Sequence, residues 1–350
     1  MNQKNRVGVV ILNWNGKKVL EQFLPSVILN SKHEGVTIYV VDNGSTDDSV
    51  SWLQSTYPSE VELILFSDNK GYAGGYNEAL AQLDCEYVVL LNSDVEVTSN
   101  WLTPLISYMD AHSEVVACQP KIKSWKEKDY FEYAGAAGGF IDQYGYPFCR
   151  GRIFSTLEKD TGQYDTPISI FWATGAALFI RLKDFLSVGG LDNRFFAHME
   201  EIDLCWRLLA RGKSIKCIPA SEVYHYGGAT LDQENPRKVY LNFRNNLLML
   251  YKNMADKEYK KLMCIRWFLD YLASFFFLLT GSFSKMKAVW KARKDFQKIK
   301  PQFHFDRMEN LTKTSHYNII ERKKFSILVK YYLMRKRKFS ELTESSHTKK

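Results

Sequence analysis

Short apolar runs punctuate the first 120 residues at regular spacing. RVGVVILN (6–13), VTIYVVD (36–42), VELILF (61–66) and YVVLL (87–91) are β-branched and nearly free of polar residues. That is the pattern of strands buried on both faces. Between them, over roughly 16–31, 46–56, 75–84 and 99–111, apolar positions recur at helical spacing. The alternation predicts right-handed βαβ units and a parallel sheet flanked by helices. Ligands of such sheets bind beyond the carboxyl ends of the strands, and Asn13, Asn15, Asp42, Asn69 and Asp94 fall at or just past those ends.

The pattern then changes. Residues 121–170 are rich in aromatics, glycine and charge with weak periodicity, and read as an irregular insertion or lid. IFWATGAALFIR (170–181) is strand-like with a turn at Gly175, and MEEIDLCWRLLARG (199–212) is a helix closed by Gly212. SIKCIP and EVYHY read as two short strands, and 237–254 as an amphipathic helix. LMCIRWFLDYLASFFFLLTG (262–281) is strongly apolar, but Arg266 and Asp270 interrupt it and leave a clean run short of the ~20 residues that span a bilayer. Residues 284–300 follow with seven Lys/Arg against one Asp, and RKRK (335–338) adds a further basic cluster. Two readings stand open here: a buried helix with a solvated neighbour, or a segment lying in the interface of an anionic membrane.

Composition narrows the class without deciding it. Hydrophobic residues make up 45% and charged residues 25% of 350 positions, ordinary for a globular chain. The six cysteines form no C-x-x-C pair, which argues against a zinc site and a disulfide framework. The N-terminal apolar stretch is too short for a signal peptide, so the expected setting is cytoplasmic, at the inner face of the membrane if the basic region docks there. The net charge of +8 resides mostly outside the α/β region and is interleaved with apolar helix, which favours membrane over nucleic acid.

The chemistry lies at the strand ends. Asp42, in VDNGSTDDS, can accept a hydrogen bond from a nucleobase imide or ribose hydroxyl, although an Asx turn before a helix would look the same. DNKGYAGGYNEAL (68–80) places Gly71, Gly74 and Gly75 before a helix, where backbone can approach a phosphate, but in neither the Walker nor the G-x-G-x-x-G spacing. LLNSDVEV carries Asp94 and Glu96 two residues apart just past a buried strand. Oxygen ligands of this kind suit Mg²⁺ or Mn²⁺ together with substrate phosphates. A nucleotidyltransferase would carry a glycine- and basic-rich loop near the first strand, whereas ILNWNGKKVL has only Gly16 and a lysine pair.

VVILNWNG, VDNGSTDDS, NKGYAGGYN, LLNSDVEV, TGAALFIR, VGGLDNRFFAHMEEIDLCWR, VYHYGGAT and YLNFRNN occur in the order seen in glycosyltransferase family 2, and the chain most resembles its rhamnosyltransferase-like bacterial branch over roughly residues 6–255. The resemblance implies a GT-A fold, a Rossmann-like, mostly parallel sheet flanked by helices. It also implies a nucleoside-diphosphate-sugar donor, a divalent cation and inversion at the anomeric carbon. Residues 1–120 would be the donor-binding half and 121–255 the acceptor-binding and catalytic half, with 256–350 a helical basic extension. Carried onto this sequence, Asp42 contacts the donor base, and Asn13, Asn15, Gly71 and Asn77 line the nucleotide pocket. Asp94 is the metal–diphosphate carboxylate, with Glu96 and His225 as further metal ligands. The catalytic base is Glu201 or Glu200, where the family usually has Glu-Asp-X-Asp; Asp203 can instead pair with Arg207 one turn on. The resemblance leaves Arg244 and Asn245 without a role. The function expected is transfer of rhamnose or another hexose to a glycan or lipid-linked glycan in surface polysaccharide synthesis, with peripheral membrane contact through 258–300 and no nucleic acid. The rival is a non-catalytic membrane- or nucleic-acid-binding protein on a nucleotide-binding scaffold.

Overall fold

The computed structural model describes residues 6–227 and 235–343. The expected alternation is present: β1 (Val7–Asn13), α1 (Lys17–Asn30), β2 (Val36–Asn43), α2 (Ser49–Thr56), β3 (Glu62–Phe66), α3 (Gly71–Leu80) and β4 (Tyr87–Leu91). β1 pairs in parallel with both β2 and β4, and β2 with β3, so the order is 3-2-1-4. Side chains alternate across the strands. Val7, Val9 and Ile11 enter one core layer with Leu20, Leu24 and Val27 of α1, while Val10 enters the other with Ala73, Tyr76 and Leu80 of α3. Both faces being covered explains the continuous apolar runs. β3 departs from that expectation: it is the sheet edge and is only half-buried.

Beyond β4 come β5 (Val95–Val97), α4 (Thr103–Ala111) and β6 (Val115–Ser124). Residues 121–170, expected to be irregular, instead form most of a second sheet. β7 (Gly139–Asp142), β8 (Pro147–Cys149), β9 (Arg152–Ile153) and β10 (Thr156–Leu157) pair in sequence over buried Phe131, Phe140 and Phe148. Two- to four-residue strands are too short to show a period.

β11 (Ile168–Ser169), β12 (Ala177–Arg181), α5 (Leu182–Ser187), α6 (Glu200–Ala210) and β13 (Ser214–His225) complete the main sheet, with β12 antiparallel between β4 and β6. SIKCIP and EVYHY are thus one strand, kinked where its register with β6 shifts between Ile218 and Glu222.

The rest is helical: α7 (Pro236–Asn253), α8 (Asp256–Leu279), α9 (Phe283–Ile299) and α10 (His304–Lys313). The chain then returns to the small sheet, adding β14 (Arg322–Lys323) beside β7. Buried Asp142 accepts the backbone N–H groups of Tyr144, Tyr146 and Ile327, each at 2.9 Å. Phe339 packs on Phe140 with ring centroids 5.1 Å apart.

Candidate active site

The carboxyl ends of β1 and β2 are bound together by one carboxylate. Asn13 Nδ2 donates to Asp42 Oδ1 at 3.1 Å, and Ser45 N donates to Asp42 Oδ2 at 2.9 Å. Asn15, at φ +51°, accepts the Thr46 N–H at 2.7 Å. Gly44 makes the turn at φ +73°, where a β-carbon would lie 2.7 Å from the Asp68 backbone. Asn43, not singled out from the sequence, ties this turn to the next: it donates to Asn69 Oδ1 at 3.0 Å and accepts from Lys70 N at 2.9 Å. Gly71 opens α3 at φ +71°. Asn77 does something else. Its amide donates to the Leu191 carbonyl at 2.7 Å and accepts the Leu191 N–H at 2.9 Å, so it anchors the 188–192 loop to α3 instead of presenting that group to a nucleotide.

Asp94 follows β4 in a tight turn and is buried. His225, at the end of β13, stands against it with Nε2 3.1 Å from Asp94 Oδ1. Glu132 Oε2 lies 3.3 Å from the other ring nitrogen. Burial alone would push the imidazole down, but the two carboxylates hold it up, to about 10. Glu132 was not legible as a site residue, since no spacing in its segment points to it. Glu96 is not part of this group: it accepts from Trp125 Nε1 at 2.7 Å and from Lys128 Nζ at 2.6 Å. Among the described residues no three His, Cys, Asp or Glu side chains are grouped as a metal cage. A cation that displaced the Nε2 proton would find Asp94 and His225 as two adjacent ligands, with the imidazole held from its other side by Glu132. That arrangement suits a cation that takes its remaining ligands from a diphosphate. Residues 228–230 of VYHYGGAT lie outside the described residues.

α6 carries the third group. Glu200 and Glu201 stand in its first turn, and each has a buried Oε2 without a hydrogen-bond partner. Burial raises both, Glu201 to about 7, and Glu200 is pushed further by its neighbour's charge. Asp203 is differently placed: its carboxylate accepts from Arg207 Nε at 2.9 Å, Lys252 Nζ at 2.8 Å and Asn253 Nδ2 at 2.7 Å. The loop delivering the glutamates is strained, with Phe196, His198 and Met199 at φ +69°, +70° and +77°. Asn245, fully buried in α7, holds it by donating to the carbonyls of Phe195, Ala197 and His198 at 2.9, 2.8 and 2.9 Å. Arg244 adds a bond to Phe195 O at 2.9 Å and braces Asn245 Oδ1 at 2.8 Å. The NFRNN motif is thus a clamp on the 195–198 loop that leads into α6.

A pair of tyrosines links the glutamates to Asp94. The charges of Glu200 and Glu201 bear on Tyr72, whose ring meets Tyr76 edge-on at 4.9 Å, and the charge of Asp94 bears on Tyr76. On the other flank Glu200 accepts the His198 N–H, and His198 feels Lys238, which sits 5.6 Å from the Tyr133 ring beside Glu132. Of eight buried side-chain N/O atoms without a close hydrogen-bond partner among the described residues, four belong to Asn13, His198, Glu200 and Glu201, and a fifth is the His225 Nδ1 that faces Glu132. Such groups gather where a ligand completes them.

The family model for Glycosyl transferase family 2 matches residues 8–178. Over those residues, just under half of its length, the chain is similar to glycosyltransferase family 2. It is 28% identical over 236 residues to an N-acetylglucosaminyl-diphospho-decaprenol L-rhamnosyltransferase of Mycobacterium tuberculosis, covering 62% of this chain and 75% of the relative. It is 25% identical over 194 residues to rhamnosyltransferase WbbL of Escherichia coli K12, covering 55% of this chain and 71% of that one. In fold it resembles GalNAc-T7, solved with UDP, GalNAc and Mn²⁺. That likeness has a TM-score of 0.58 at 16% identity and covers 90% of this chain and 58% of the other. The transferase therefore has the GT-A fold expected from its motifs, and the rival non-catalytic reading falls away.

Proposed function

We propose that this glycosyltransferase moves one sugar, rhamnose or another hexose, from a nucleoside-diphosphate donor to a hydroxyl of a glycan or lipid-linked glycan, with inversion, in cell-surface polysaccharide synthesis. Its place would be the cytoplasmic face of the membrane, held peripherally through 258–300. The names of the two bacterial relatives support the sugar and the lipid-linked acceptor. Asp42, braced by Asn13 and the Ser45 N–H, receives the nucleoside, and the α3 start near Gly71 receives the diphosphate. Asp94 and His225 would hold Mg²⁺ or Mn²⁺, which when bound neutralises charge on the departing diphosphate. The observation that carries the reading is the Glu200–Glu201 pair, each with a buried and unpartnered Oε2, linked to Asp94 through Tyr72 and Tyr76.

Two carboxylates crowded in one buried site do not both ionise readily, so the pair divides into a proton holder and a base. Glu200, pushed up by burial and by its neighbour, keeps the proton. Glu201, near 7, takes the acceptor's hydroxyl proton as the oxygen attacks the anomeric carbon. The bond from that carbon to the diphosphate oxygen breaks on the opposite face, which inverts the configuration. A sugar-nucleotide screen by thermal shift, with and without Mn²⁺, tests the proposal. One donor should raise the melting temperature more with Mn²⁺ than without, and no stabilisation by any donor would contradict it.

A further inference from the structure

α8 is built inside out. The residues it turns to the protein are Tyr259, Leu262, Arg266, Asp270 and Ser274, three or four apart, and the last three are polar. Arg266 Nε donates to Asp270 Oδ1 at 3.1 Å and Arg266 Nη1 to the Tyr144 carbonyl at 3.0 Å, and Asp270 also pairs with Arg293 of α9. With Arg266 and Asp270 engaged inward, the helix beyond its exposed, charged first turns faces its apolar side outward. Trp267, Phe268, Leu272, Phe275, Phe276 and Leu279 are each more than half exposed. α9 adds one stripe at i, i+4, i+7, i+11 and i+15, made of exposed Phe283, Lys287, Trp290, Lys294 and Lys298. Aromatic and lysine side chains interleaved on one face, beside an uncovered apolar helix, match the headgroup–acyl boundary of an anionic bilayer.

We infer that the outward face of α8 and this stripe of α9 bed into an anionic membrane surface, with α8 lying in the membrane plane and not crossing it. The inference rests on the peripheral contact proposed above and specifies the residues that enter and how the helix lies. By length and composition α8 could span a bilayer. Crossing would carry Arg266 and Asp270 into the hydrocarbon and strip them from Tyr144 and Arg293, leaving both charges without partners where no water can solvate them. A two-fold dimer through the same face would bring two lysine stripes to one interface. A bilayer supplies the opposite charge.

The test uses the full chain, because β14 and Phe339 make the C-terminal region part of the core. Flotation compares vesicles of equal phosphatidylglycerol and phosphatidylcholine with phosphatidylcholine alone. The wild type should float with the anionic vesicles. Phe268→Ser/Phe275→Ser/Phe276→Ser should lower partitioning about 10²-fold, and Lys287→Glu/Lys294→Glu/Lys298→Glu should remove its dependence on anionic lipid and salt. An unchanged melting temperature in each variant shows that the fold is kept, and an unchanged donor-induced shift reads the active site separately from the membrane face. Brominated lipids should quench Trp267 and Trp290 at the headgroup–acyl boundary, the quenching being lost in Trp267→Phe/Trp290→Phe. Equal flotation of the Phe variant overturns the inference, as does quenching strongest at the bilayer centre. A wild-type dimer that does not float and that the Phe variant disrupts would assign the face to a second copy instead.

Discussion

Asn245→Ala isolates positioning from chemistry. The wild-type amide donates to three carbonyls of the 195–198 loop at 2.8–2.9 Å and is itself fully buried. Removing it strands buried acceptors, a loss of ~1–3 kcal/mol. The loop it restrains has three non-glycine residues at positive φ, each storing ~1–3 kcal/mol, so the freed segment relaxes locally. Glu200 and Glu201 then lose their placement, and a shift of about 1 Å is enough to lower kcat by ~10²-fold. Donor affinity should be unchanged, because Asp42 and Asp94 lie on other elements. Asn245→Asp sharpens the test. It keeps the acceptor for Arg244 but turns an oxygen toward three carbonyls, so it should be more damaging than Ala. The assays are single-turnover transfer, donor titration and thermal unfolding on the same preparations. A variant with full kcat and only a lowered melting temperature would refute the clamp, and so would donor affinity falling in step with kcat.

Asp94→Ala should abolish the Mn²⁺-dependent part of donor-induced stabilisation, and the metal-free protein should also melt lower because the buried pair with His225 is broken; a surviving Mn²⁺ effect would remove Asp94 from the metal site. Glu96→Gln, which changes only the bonds to Trp125 and Lys128, should leave kcat within about threefold, below the 10²–10⁴-fold range of a lost acid–base group. The pH profile of kcat/KM should rise through an apparent value near 7, as Glu201 gives up its proton and becomes a base. A profile flat from pH 5.5 to 8.5 would contradict this. The same raised value has a stability sign. The folded chain holds a proton that the unfolded chain releases near 4.5, so this contribution is present below 4.5 and lost as pH rises through 7. Glu201→Gln should therefore melt at or above the wild type at pH 8, and a clearly lower melting temperature would count against the burial argument.

The first four strands and their helices were legible because both sheet faces are buried and the apolar runs are therefore uninterrupted. The strand-end places of Asp42 and Asp94 were legible because each follows a strong apolar run, whereas Glu200 and Glu201 were singled out through the family resemblance. The small sheet was not, since strands as short as Arg152–Ile153 have no period to read. The fate of α8 was hidden for a different reason. A run of Phe and Leu suggests core, but the partners of Arg266 and Asp270 lie 122 residues upstream at Tyr144 and on the next helix at Arg293. Only tertiary structure decides which face turns inward. The same holds for Asn77 and Asn245, whose motifs implied a site but whose partners are backbone groups of distant loops. Glu96 shared a motif with Asp94, yet it is Glu132 that stands by His225.

The account stands most directly on which carboxylate takes the acceptor's proton. Glu201→Gln and Glu200→Gln should be compared in single-turnover transfer with donor and Mn²⁺ saturating. Neither change should disturb donor binding, because both side chains lie outside the Asp42 and Asp94 groups. The account predicts a fall of ~10²–10⁴-fold in the transfer step for Glu201→Gln and a smaller one for Glu200→Gln, with Glu201→Asp retaining more activity than the Gln variant. Transfer stopped by Glu200→Gln and spared by Glu201→Gln would contradict it and move the base one residue toward the loop.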